Sequence, residues 1–204
     1  MITRIGGILL ERIEDAASAT HIIAGDDKIS LRRTPKLMVA LCKTSNIVGL
    51  QWLLKSAKAK RALPSKAYLL LDDAEAEKQY RFSMRETLIQ ADGMRANGKA
   101  LLTGYSVHVC SGVAGKDTKN NKTPRLGEFK LIVEAAGASW MSSLPEPSKT
   151  GVDCSKIILI SSKIAKEAKT QLSKNGAPDA IKHGATTIST EELFHRLMTQ
   201  SLDV

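Results

Sequence analysis

"ATHIIAGDDKISLRRTPKLMVALCKTSNIVGLQWLLKSAKAKR", residues 19–61, alternates two kinds of element. THIIAG (20–25) and NIVGL (46–50) are short β-branched apolar runs bounded by turn residues, as buried strands are. Between them Thr34 suits a helix cap and Pro35 the first helical position, with Leu37, Met38 and Leu41 on one face. A second helix over 51–61 turns Trp52 and Leu53 inward and shows Lys55, Lys58 and Lys60 to water. Strand, helix, strand, helix in this order implies parallel pairing and α/β layering.

Working outward, GGILLE (6–11) is a further candidate strand. Residues 65–100 change character: YLLL runs into the acidic DDAEAEK, then SMRETLIQA, where Ser83 and Glu86 form a capping-box pattern. Asp92-Gly93 and Asn97-Gly98 read as breakers, so this stretch is expected to be a structured linker carrying one helix. The second half repeats the same elements. YSVHVC (105–110) alternates as a strand, 111–125 is a polar loop, and LGEFKLIVEAAG (126–137) is a helix stopped by Gly137. SWMSS is a short strand and KIILIS (156–161) a buried one. A helix ending at Gly176, the strand TTIS and the helix TEELFHRLMTQ, with Ser189 and Glu192 as a second capping box, complete the chain. Two copies of one α/β module are expected: 1–64, then the linker 65–100, then 101–204.

Hydrophobic residues make up 43% of the 204, enough for real cores, and no apolar run is long enough to span a bilayer. The N-terminus turns acidic too soon for a signal peptide, so a soluble intracellular protein is expected, with no membrane role. Cys42, Cys110 and Cys154 are odd in number and far apart, as expected for reduced, buried thiols. His21, His108, His183 and His195 sit on separate elements without ligand spacing, so neither a metal nor a cofactor is expected. No phosphate-binding glycine loop or nucleophile elbow occurs, which argues against an enzyme. The net charge of +9 favours a polyanionic partner, whether nucleic acid or phosphoprotein, and equally fits a solvated basic surface. Aromatic residues are too few, at 4%, for a base-stacking platform.

Arg32, Arg33 and Lys36 stand where the helix at 34–43 begins. A helix N-terminus is already electropositive, so three cations there cost stability unless an anion joins them.

The Gly-Gly before a strand, ATHIIA, RRTPKLMVAL and IVGLQWL together resemble a BRCT repeat, and LPSKAYLLLDDAEAEKQYRFSMRETL resembles the linker of tandem BRCT proteins. The likeness is to the C-terminal pair of the mediator of DNA damage checkpoint and PAX-interacting protein group. It is strongest over residues 18–113; in the second repeat Glu192 stands where Trp52 stands in the first. The resemblance implies a nuclear, non-catalytic module of the DNA-damage response that binds phosphoserine or phosphothreonine peptides, such as a phosphorylated protein or histone tail. It implies Lys36, with the capping Thr34, as the phosphate site, and Arg33 as a contact to the peptide backbone or its terminal carboxylate. The second repeat of such pairs reads residues beyond the phosphate, which makes Glu191 a candidate peptide contact. Thirty-two residues separate Tyr105 from Gly137, whereas six precede Gly7, so the first strand, its Ser/Thr-Gly and most of the first helix of repeat one are expected to be absent. Alternatives are a scaffold for unmodified partners and a basic module contacting DNA or chromatin. Ser111-Gly112 with Lys163 or Lys166 is the place for a second anion site, and a capping-turn role is the alternative for Glu191.

Overall fold

Ile22 and Ile47, then Ile23 and Val48, face one another where β1 (Ile22–Ile23) and β2 (Ile47–Val48) pair in parallel. The computed structural model describes residues 1–25, 29–115, 123–146 and 153–202. The chain divides into two compact units, Met1–Gly98 with His195–Val204, and Lys99–Phe194.

In the first unit, α1 (Pro35–Lys43) follows β1 and α2 (Leu50–Ala59) follows β2. Six consecutive residues of α1, Leu37 to Cys42, are buried, where the periodicity led us to expect one apolar face. The helix is sandwiched: a 3-10 turn over Glu14–Ser18 packs against it, and so does α4 (Met84–Ala96). Trp52 on α2 is held by a hydrogen bond from Nε1 to the Leu63 carbonyl (2.8 Å).

Three expectations fail here. GGILLE forms no strand: Gly6 turns left-handed (φ 75°) to end a 3-10 turn over Ile2–Ile5, and Ile8 and Leu9 that follow are exposed. An apolar run becomes a strand only where a neighbour pairs with it. The stretch 65–100 carries two helices, not one, because α3 (Ala74–Tyr80) precedes α4. Asp92-Gly93 does not break α4 either. Arg95 reaches Asp92 (2.8 Å), the Ser45 hydroxyl and the Leu41 carbonyl (3.2 Å), which anchors that turn to α1. Nothing lies within 4 Å of a Cβ built on exposed Gly93. Gly93→Ala should therefore stabilise the chain by about 0.5–1 kcal/mol, read as a raised urea midpoint.

The second unit has a four-stranded parallel sheet, ordered β4-β3-β5-β6: β3 (Ser106–Val109), β4 (Ser139–Trp140), β5 (Ile157–Ser161) and β6 (Thr186–Ser189). All five β5 residues are buried, as a strand covered on both faces requires. Around the sheet run α5 (Leu126–Ala135), α6 (Ala165–Lys174) and the short α7 (Ala177–Lys182); α8 (Thr190–Thr199) starts in this unit, and its residues from His195 on belong to the first. Phe129, Ile132 and Val133 on α5 fill the core. Gly137 (φ 90°) stops α5, and a Cβ there would sit 2.9 Å from Ala100 Cβ. The Ser189–Glu192 capping box is reciprocal, at 2.6 and 3.2 Å. Part of the polar loop expected at 111–125, residues 116–122, lies outside the described residues.

All three cysteines are buried and outside any disulfide. Burial pushes the Cys42 thiol up to about 12 and the Cys110 thiol to about 11, so neither supplies a thiolate near neutrality. Among the described residues no His/Cys/Asp/Glu group is placed to hold a metal, and no helix is long and apolar enough to cross a membrane.

Candidate functional site

Thr34 has extended backbone (φ −103°, ψ 154°), as a residue before proline prefers, and its Oγ1 accepts the Leu37 N–H at 3.2 Å. Pro35 opens α1, so Lys36 is its second residue. The first turn of α1 carries no acidic side chain, which leaves the positive end of the helix dipole unopposed from within the helix. The cap uses only an oxygen lone pair of Thr34; the hydroxyl proton can still be donated.

Lys36 is half-buried, and its Nζ donates to the Glu11 backbone carbonyl. An ammonium has three donors, so two remain for an anion. Arg33 lies with its guanidinium 5.1 Å from the Tyr80 ring centroid. Arg32 and Thr34 are exposed beside it.

Asp73, which the sequence reading missed, fixes the approach to this cluster. Its carboxylate accepts from the Ser30 hydroxyl (2.5 Å), the Leu31 N–H (2.7 Å) and the Ala76 N–H (3.0 Å), so it caps α3 and ties down the segment that leads into Arg32. Burial pushes this carboxyl up, but the hydrogen bonds from Leu31, Ser30 and Ala76 outweigh it and hold its pKa below the ordinary value. A group with a lowered folded pKa contributes its stability above the unfolded pKa and loses it as pH falls through the folded one. Asp73→Asn should thus lower the urea midpoint at pH 7, and the gap to the parent should close as pH falls through the lowered folded pKa of Asp73. A gap constant with pH would mean that the carboxylate charge contributes nothing.

The equivalent place in the second unit is wired differently. Ser111 directs both its N–H (3.3 Å) and its hydroxyl (3.1 Å) at Asn175 Oδ1, which also lies 3.3 Å from His108 Nε2. Lys163 forms an exposed ion pair with Glu191 at 3.0 Å, and Glu167 in the first turn of α6 accepts from the Ser162 hydroxyl at 2.8 Å. These carboxylates oppose an anion there, so the second anion site weighed from Ser111-Gly112 and Lys163 has no electrostatic support. Lys166 is exposed. Glu191 is thus placed in the second unit with Lys163 as its partner, while Arg33, Thr34 and Lys36 cluster in the first.

The chain is similar along 99% of its length to the crystal structure of the BRCT5-BRCT6 domains of S. pombe Brc1, with a TM-score of 0.69, 18% identity and 86% of that chain covered. The fold is that of a tandem BRCT pair. In sequence the chain resembles Mediator of DNA damage checkpoint protein 1 of Mus musculus, at 34% identity over 148 residues, and the Homo sapiens protein at 33% over 142. It also resembles PAX-interacting protein 1 of Bos taurus, at 31% over 156 residues. These alignments take in 72%, 68% and 74% of this chain but only 7%, 6% and 14% of the relatives. No protein-family model matches the chain.

Proposed function

We propose that this BRCT pair is a non-catalytic module of the DNA-damage response that binds a phosphorylated segment of a nuclear protein or histone tail. The relatives are named for DNA damage checkpoint mediation and PAX interaction, and the names suggest work in the nucleus through protein partners. The observation that carries the reading is the start of α1: Lys36, Arg33 and Arg32 gather at a capped, acid-free helix N-terminus. Charge-assisted contacts from a lysine, a helix dipole and a backbone amide suit a phosphate. Arg33, whose guanidinium lies over the Tyr80 ring, suits a neighbouring peptide carboxylate.

The test is binding of a library of phosphoserine peptides with free C-termini, each beside its unmodified twin. Phosphorylated members should bind about tenfold or more tightly than their twins. Equal binding would leave the scaffold reading, in which Lys36 only anchors the Glu11 carbonyl. Binding that needs no phosphate and weakens steeply with salt would favour DNA.

A further inference from the structure

Residues 29–71 hold nine of the chain's thirty Lys and Arg residues and none of its twenty-one Asp and Glu residues. The rest of the chain is balanced at twenty-one of each, so this one stretch accounts for the net charge of +9. Three of the nine, Arg32, Arg33 and Lys36, stand at the start of α1 and belong to the site described above, and Lys43 closes that helix. The other five, Lys55, Lys58, Lys60, Arg61 and Lys66, lie on α2 and just beyond its end, and all are exposed.

The fold sets this cluster in place. Trp52, Leu53 and Ser56 form the buried side of α2, so Lys55 and Lys58, three residues apart, share the opposite face. Lys60 caps the helix in left-handed backbone (φ 56°), where glycine is the usual residue, and its N–H reaches the Ala57 carbonyl at 3.3 Å. The turn then closes under the helix. Arg61 donates its N–H to the Ser56 carbonyl (3.3 Å), and Leu63 donates its own to Ser56 Oγ (3.1 Å) while accepting the Trp52 indole at 2.8 Å. A 3-10 turn over Ser65–Tyr68 packs on α2 and brings Lys66; Lys55 Nζ lies 5.3 Å from the Tyr68 ring centroid. Exposed cations elsewhere are paired, Arg12 with Glu14, Lys130 with Glu134 and Lys163 with Glu191, whereas among the described residues none of these five pairs with a carboxylate. The helix dipole accounts for Lys58, Lys60 and Arg61 at the C-terminus of α2. It does not account for Lys55 in mid-helix or Lys66 beyond it.

We infer that this cluster is a second polyanion site, which holds the phosphate backbone of duplex DNA. Four lysines and one arginine present charge with little demand on shape, and such a set positions a protein on phosphates without reading sequence. An acidic protein is the poorer fit, because protein interfaces are built round aromatic and apolar side chains and are depleted in lysine. A single strand is a poorer fit too: Tyr68, the aromatic residue beside the cluster, is half-buried under Lys55 and offers no platform for bases. A duplex carries one negative charge about every 1.7 Å of axis, whereas Lys55 to Lys60 span roughly 7–8 Å of helix, so every cation can find a phosphate. The site needs no peptide, so its test is separate from that of the phosphopeptide reading.

The probe is a fluorescein-labelled duplex of about 20 base pairs, titrated with the full chain and followed by anisotropy between about 50 and 200 mM salt. For the parent, log affinity should fall against log salt with a slope of about −3 to −4, as contact with about four phosphates requires. Lys55→Gln, Lys58→Gln and Lys66→Gln together should flatten that slope by about 2–3 and weaken binding about tenfold or more at the lowest salt. The urea midpoint and the preference for a phosphorylated peptide should not change. Lys60→Gly removes one charge and relieves a left-handed position, so it should flatten the slope by about 1 while the urea midpoint holds or rises. The control removes three exposed cations of α6, by Lys166→Gln, Lys169→Gln and Lys174→Gln, and should leave the slope in place. Equal flattening by both triple variants would reduce the effect to net charge and overturn the inference, as would a parent that does not bind. Polyglutamate or phosphatidylserine vesicles bound as tightly as the duplex would overturn it too, by giving the cluster to an acidic protein or a lipid surface.

Discussion

Leu88→Asp should unfold the first unit or strip it of most of its stability. Leu88 is 4% exposed, and with Met84 (1%) and Ala91 (1%) it forms the buried stripe of α4 at helical spacing. Thr87 beside it is fully buried, and its one hydroxyl proton is shared between the carbonyls of Ser83 (2.7 Å) and Met198, which opposes any roll of the helix that would bring a new carboxylate to water. Truncating a buried leucine costs about 2–5 kcal/mol, and a carboxylate left without a partner adds to that. A domain has only about 5–15 kcal/mol to lose. The chain has one tryptophan in each unit, Trp52 and Trp140, so Trp52 fluorescence with Trp140→Phe reads the first unit. Its urea midpoint should fall by about 2 M or the folded baseline should vanish. Ile89→Asp, one residue on but 56% exposed, is the control and should change little. If both variants unfold at the parent midpoint, α4 is a passive tether.

Elements with a hydrophobic period or a strong cap could be read from sequence alone. The strands β1, β2, β5 and β6 announce themselves as short β-branched runs, and α1 by Thr34-Pro35. The helix α3 was missed because only Ala76 of AEAEKQY is buried, so it has no apolar stripe; its signal was the cap, Asp73 three residues before Ala76. The helix α7 was missed for a related reason: APDAIK is six residues long, and the left-handed Gly176 before it read as a stop rather than a start. GGILLE erred in the opposite sense, since its composition is that of a strand while its place in the fold offers no pairing.

At the candidate site, the residues proposed to meet an anion are more legible in the sequence than those that position them. Thr34, Pro35 and Lys36 are consecutive, and their geometry follows from local rules. The partners come from far along the chain: Asp73 lies 42 residues from Leu31, and Lys36 meets a backbone carbonyl at Glu11, which no side-chain pattern encodes. Tyr80 under Arg33 is likewise a tertiary gift of α3. One consequence is that the cluster depends on α3 and its cap as much as on α1.

Lys36 and Arg33 should separate in their effects on peptide binding. Lys36 presents a compact charge at the α1 N-terminus, so it is suited to the phosphate; Arg33 presents a planar fork fixed over Tyr80, so it is suited to a carboxylate or a pair of backbone acceptors. A charge-assisted contact is worth about 1.5–3 kcal/mol, or roughly ten- to a hundredfold in affinity. Lys36→Met should therefore abolish the preference for a phosphorylated peptide over its unmodified twin. Arg33→Met should weaken a free-acid peptide more than its C-terminal amide and leave phosphate discrimination largely intact. Neither change removes the Thr34 cap or Pro35, so α1 should persist, which an unchanged urea midpoint checks. The measurement is titration of the best peptide in four forms, phosphorylated or not and acid or amide, against the parent and both variants. Equal losses across all four forms would reduce Arg33 and Lys36 to a diffuse basic patch, and the phosphopeptide reading would fall with them.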